Sequence, residues 1–130
     1  MATMIKFRAW DDLLNKMLVV YRISFDGPVD GVQVHCYLDD RGAEGSTEYA
    51  YDGDGLILEQ FTGLKDANGK EIYEGDIVEV TSQYWGMLGN RYEVKFKQGA
   101  FYVKYGLLSK ISPSISVIGN VHENPELLKG

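Results

Sequence analysis

The sequence predicts a mainly β fold, a small and strongly bent sheet or barrel with additional strands and long loops. Three observations predict it. Apolar and polar residues alternate in one short segment after another, which is the period of a strand with one buried face. Turn residues separate these segments at Asp26-Gly27-Pro28, Asn68-Gly69, Gln98-Gly99 and Asn124-Pro125. No apolar pattern holds a helical period for as long as about ten residues.

The chain of 130 residues is long enough for one compact domain over residues 1–130 and needs no disulfide or metal to hold it. Its 45% hydrophobic and 25% charged residues are ordinary for a globular protein. The single cysteine, Cys36, cannot pair internally, which suits a reducing compartment. No apolar run reaches the ~20 residues of a membrane span, and no signal-peptide core opens the chain. The expectation is a cytoplasmic protein with no membrane association.

Taken in order, Ile5, Phe7 and Ala9 alternate with Lys6, Arg8 and Trp10 as a first strand. Asp11–Lys16 connects it onward as one helical turn or a hairpin loop. Met17–Phe25 is β-branched and aromatic, with Val19, Tyr21, Ile23 and Phe25 on one side. Val32, Val34, Cys36 and Leu38 mark the next strand, and residues 39–46 a surface loop. Asp52-Gly53-Asp54-Gly55 is a further break before Leu56–Phe61. The central stretch Gln60–Val78 reads as strand, turn, short arm, turn and strand, with Gly63, Gly69 and Gly75 at the breaks. Ser82–Asn90 is a long loop bearing Tyr84 and Trp85. A hairpin over residues 91–105 turns at Gln98-Gly99, with Tyr92, Val94, Phe96, Phe101, Val103 and Tyr105 in core phase. Ile115, Val117, Gly119 and Val121 form the last strand. Glu126-Leu127-Leu128 follows Pro125 as a short tail or single helical turn.

No arrangement of residues announces chemistry. The Asp66 turn is not a calcium loop, because the sixth position from Asp66 is Glu71 and the twelfth Ile77, where glycine and glutamate are required. His35 and Cys36 are strand neighbours and so face opposite ways. They cannot serve each other as base and nucleophile, and Cys36 falls in the apolar phase as a core residue. No phosphate loop or nucleophile elbow occurs. No catalytic residue, cofactor or metal site is expected.

Charge is uneven around a net of −6. Residues 26–54 carry eight acids against one base, whereas residues 91–130 carry six bases against three acids. The acidic run reads as a solvated, loop-rich segment, too irregular for a decoy of nucleic acid. The hairpin should present Arg91, Lys95, Lys97, Tyr102 and Lys104 on one face, interrupted by Glu93. Such a face is either merely solvated or a nucleic-acid surface that pairs cations with an aromatic ring. Tyr84 and Trp85 are the candidates for a partner-protein contact.

Three segments resemble the YopX family of small phage and prophage proteins. They are Ile5-Lys6-Phe7-Arg8-Ala9-Trp10-Asp11, the stretch Gln60–Val78, and Val117-Ile118-Gly119-Asn120-Val121-His122-Glu123-Asn124-Pro125-Glu126-Leu127-Leu128. Within the middle segment, Phe-Thr-Gly-Leu-Lys-Asp and Asn-Gly-Lys-Glu-Ile-Tyr-Glu-Gly-Asp carry the match. The resemblance is weak over residues 26–55 and 82–112. It implies an SH3-like β-barrel and a phage or prophage gene in a bacterial host, and it supplies no catalytic residue. The leading expectation is a non-enzymatic protein-binding or assembly accessory with a host or phage protein partner. The alternative is a nucleic-acid-binding module using residues 91–105. Leu13, Leu14, Tyr84, Trp85, Met87, Leu88, Leu127 and Leu128 exceed what one small barrel covers, so a homo-oligomer is expected.

Overall fold

A computed structural model of the chain describes residues 6–12, 14–24, 33–37, 46–48, 56–82, 86–104 and 106–129. The expectations for Ile5, Leu13, Phe25, the 26–28 turn, Val32, Leu38, residues 39–45, Asp52–Gly55, Tyr84, Trp85 and Tyr105 lie outside them. The chain divides into two compact units, one of Lys6–Gln60 and one built on Phe61–Gly130.

The first unit is an antiparallel sheet in the order β4-β3-β2-β1-β5. Its strands are β1 (Phe7–Asp11), β2 (Lys16–Ser24), β3 (Gln33–Tyr37), β4 (Ser46–Glu48) and the first half of β5 (Leu56–Lys65). The β1–β2 connection is a hairpin and not a helical turn. Asp11 pairs with Lys16, and Asp11 Oδ1 accepts the Leu14 N–H at 3.1 Å. Ala9, Leu18, Val34, Cys36 and Leu56 form a buried cluster with Val20 and Leu58 against it.

The apolar side of β2 is therefore Leu18 and Val20. Val19 and Tyr21, which the alternation groups together, are 41% and 43% exposed. A bulge between Val20 and Arg22 then shifts the register, so that Ile23 pairs with Val34. One inserted residue exchanges the faces of everything beyond it. Trp10 is buried as well as Ala9, so β1 is covered on both faces and not one, and the indole Nε1 donates to Asp12 Oδ1 at 3.0 Å. Cys36 is a core residue as its phase requires. Burial, and then the nearby Asp11 charge, push its thiol from 9.0 up to about 11.

The second unit holds the rest of β5, then β6 (Glu71–Tyr73), β7 (Asp76–Val80), β8 (Arg91–Glu93), β9 (Lys95–Lys97), β10 (Ala100–Val103) and β11 (Gly106–Leu107). One turn of helix, α1 (Leu108–Ile111), runs into a 3₁₀ turn at Ser112–Ser114, then β12 (Ile115–Asn120) and a closing 3₁₀ turn at Pro125–Leu128. The strands pair as β5-β6, β12-β7-β8 and β11-β10-β9. The core is Ile72, Val78, Val80, Tyr92, Val94, Val103, Leu108, Ile111 and Ile115.

The fold is mainly β as expected, but these sheets are open and form no closed barrel among the described residues, so the expected SH3-like β-barrel is not found. The reason is local to Val94. Its N–H donates to Asp76 O and its carbonyl accepts the Gly75 N–H, each at 2.9 Å. The hairpin strand is thereby cut into β8, which pairs with β7, and β9, which pairs with β10. No ladder joins the β12-β7-β8 sheet to the β11-β10-β9 sheet among the described residues.

The central stretch is a knot of backbone hydrogen bonds. Asp66 Oδ1 accepts the N–H groups of Asn68 at 2.8 Å and Lys70 at 2.9 Å, and Oδ2 accepts Val117 N–H at 2.8 Å. Burial pushes the carboxyl up, but the hydrogen bonds from Val117, Lys70 and Asn68, with the Lys70 charge, outweigh it and hold the group below its usual 3.8. Gly69 and Gly75 turn the chain at φ +83° and +87°. Gly63 has φ +85° but sits inside β5, where the pairing with β6 shifts between Phe61 and Lys65. It makes a bulge and not the expected turn. Near the C-terminus, Asn120 is buried, and its Oδ1 accepts the N–H groups of His122 and Glu123.

Candidate functional site

The site is assembled on the hairpin that follows β8. Its turn, Gln98-Gly99, has φ +51° and +81°, the pair of left-handed residues that matches strand twist in a two-residue hairpin. This turn sets Tyr102 opposite Lys95 and Ala100 opposite Lys97. Arg91, Lys95, Lys97, Tyr102 and Lys104, the five residues that alternation places on one face, all line a single cavity of about 490 Å3. Glu93 lines it too, as the one acid in the wall.

Two of the cations are already placed. Arg91 Nε donates to Glu79 Oε1 at 2.9 Å, and its Nη1 donates to Leu127 O at 3.4 Å. That ion pair is half exposed, so it contributes at most ~1 kcal/mol and mainly fixes where the guanidinium sits. Lys97 Nζ lies over the Tyr102 ring, 5.2 Å from its centre, within reach of a cation–π attraction of ~0.5–1 kcal/mol.

Tyr92, Val103 and Leu128 complete the wall, and alternation alone does not assign them to the site. Leu128 had a usable signal, since an apolar tail beyond Pro125 needs a groove. Here the tail lies against β8 of its own chain, with Leu128 39% exposed. Phe96 departs from its core phase: it is 47% exposed and packs on Phe101 with ring centres 5.0 Å apart. Tyr84 and Trp85, the other candidate contacts, lie outside the described residues.

The remaining chemically notable groups are not among the residues that line this groove. His35 stands beside Tyr21, ring centres 6.0 Å apart, on the strand whose next residue, Cys36, is buried. His122 uses its N–H in the Asn120 turn. Among the described residues no three of His, Cys, Asp or Glu are placed to hold a metal ion, and no helix is long and apolar enough to cross a membrane.

Comparison with known proteins adds a family and a structural neighbour. The family model described as "YopX protein" matches residues 6–129. Protein EF1440 from Enterococcus faecalis, known from its crystal structure, is 28% identical with a TM-score of 0.67, over 98% of this chain and 100% of that one. No curated protein matches the chain.

Proposed function

We propose that this chain, which belongs to the YopX family, is a non-enzymatic binding accessory that captures an acidic segment of a partner protein. The observation that carries the reading is the convergence of Arg91, Lys95, Lys97 and Lys104 on one groove of a protein whose net charge is −6. A basic groove on an acidic body is complementary to an acidic peptide and steers it in. Taken with the phage context of the resemblance, the partner is a phage or host protein in the bacterial cytoplasm.

Three features favour a peptide over a nucleic acid. Glu93 stands in the wall, where it opposes a continuous phosphate track. The face of Tyr102 already carries Lys97, so a base cannot stack there unless the lysine leaves. The overall charge repels a long polyanion more than it repels a short acidic stretch. Self-association is a second reading, favoured by the exposed Val19, Tyr21 and Ile57 in one unit and by Leu88 in the other. Light scattering at micromolar concentration tests it, and a mass held at 14.6 kDa rejects it.

The groove is tested by anisotropy with a dye-labelled glutamate-rich peptide and with oligo-dT at low salt. Peptide binding that weakens steeply with salt and is lost in Lys95→Glu with Lys104→Glu is the expected result. Tighter binding of oligo-dT through the same lysines would replace the peptide by nucleic acid. No binding of either probe rejects the groove as a site.

A further inference from the structure

A second cavity, of about 400 Å3, adjoins the basic groove. Tyr92, Tyr102 and Val103 line both, so the two share a wall. The character changes across that wall. Met87, Leu107 and Ile111 face the second cavity together with Val103, and Lys110 is its single charged lining residue. Tyr92 is fixed there, since Asn90 Nδ2 donates to its phenolic oxygen at 2.9 Å. The volume is near the lower end of ligand pockets, ~300–1,000 Å3, a size that suits one large side chain.

From this geometry we propose that the second cavity receives a bulky apolar side chain of the same acidic segment that the groove holds. The proposal rests on the groove reading and adds a specificity determinant to it. The occupant follows from charge complementarity in the groove and from continuity through the shared tyrosines. Tyr92, Tyr102 and Val103 stand between the two subsites. In an extended chain, side chains two residues apart, ~6.6 Å, lie on one face, the nearest spacing that serves two adjoining subsites. The segment therefore has an acidic residue with an aromatic or large aliphatic residue two positions away. Apolar anchors seated in pockets and rimmed by charge are the usual source of affinity in such contacts.

Gly106 offers a means of blocking the cavity. It lines the pocket, it does not have a left-handed φ, and nothing lies within 4 Å of where its Cβ would be. Gly106→Leu therefore takes up pocket space without straining the backbone. The test compares a dye-labelled glutamate-rich peptide carrying Phe two residues from a Glu with the same peptide carrying Ala there. On the unaltered protein the Phe peptide should bind about tenfold more tightly, from burial of one aromatic side chain. In Gly106→Leu the two peptides should bind alike, at the affinity of the Ala peptide. Equal binding of both peptides to the unaltered protein overturns the anchor pocket and leaves the groove reading standing. A Phe preference that survives in Gly106→Leu places the anchor elsewhere and overturns the assignment. If neither peptide binds, the groove reading itself has failed. The comparison on the unaltered protein does not depend on any variant folding.

Discussion

The Asp66–Lys70 turn and the Gln98-Gly99 hairpin have similar backbones and opposite uses. Each is a tight turn with a glycine near φ +80°. In the first, the side chains are consumed by the fold: one carboxylate takes three backbone N–H groups, the third from Val117 on β12. In the second, the side chains flanking the turn line an open groove. Among the letters that resemble the family, Asp66, Gly69, Gly75, Asp76, Gly119, Asn120 and Asn124 belong to the first kind. The groove and its neighbouring pocket fall mainly in residues 82–112, where the resemblance is weak. The segments that carry the resemblance thus build scaffold for the most part, with Leu128 as the residue they also give to the proposed groove.

The largest effect that would sharpen this contrast is loss of the Asp66 carboxylate. Asp66→Ala leaves three backbone donors without their charged acceptor and should cost ~3 kcal/mol, measured by denaturant unfolding. The acid limb carries the same signature. A carboxyl held low when folded stabilises the protein above its unfolded pKa, and that contribution is lost as pH falls through ~4 and below. The variant should lose less stability than the wild type over that window. An unchanged midpoint would remove Asp66 from the scaffold.

Next is Gly119→Ala. A Cβ there would meet Asn124 Oδ1 at 2.5 Å and its Cβ at 2.9 Å. Asn124 cannot simply swing away, because its Oδ1 accepts Asn120 N–H at 3.3 Å and its N–H donates to Asn120 O at 2.9 Å. The expected cost is ~2 kcal/mol. Gly69→Val should cost ~1 kcal/mol from the left-handed φ alone, since nothing lies within 4 Å of its Cβ position. At the far end, Lys95→Glu with Lys104→Glu should change stability by less than ~0.5 kcal/mol. A large loss there would break the comparison, because the hairpin lysines would then be scaffold. Cys36 checks the other unit: a fully buried thiol, raised from 9.0 to about 11, should alkylate much more slowly at pH 8 in the folded than in the denatured chain, because burial withholds both access and ionisation.

What could be read in advance follows from the range of the forces involved. The hairpin, the Asn68-Gly69 turn and the Pro125 turn are set by neighbours a few residues apart, and all three are legible. Cys36 in the core is legible because β3 is regular. The faces of β2 are not, because the bulge at Tyr21 is decided by pairing with β3. The open sheets were hidden for the same reason: Val94 alternates correctly, yet its backbone is claimed by Gly75 and Asp76. α1 is a single turn of Leu108–Ile111, too short to show a period, although Ser112-Pro113 marks where it must change. Lys110 and Ile111 reach the pocket through this turn, so the sequence pattern carries no trace of the pocket. The five groove residues were legible as a face, but the cavity they share with Leu128 depends on where the tail comes back.

The placement of β9 bears on how the protein behaves when concentrated. Lys95-Phe96-Lys97 is the outer strand of its sheet among the described residues, and all three residues are exposed. Bare strand borders invite copies to zip together into fibrils, and a phenylalanine there would ordinarily encourage it. A second copy approaching in the same register would bring lysine against lysine. The lysines of the proposed groove therefore also act as gatekeepers, opposing growth of the border by addition of its own kind.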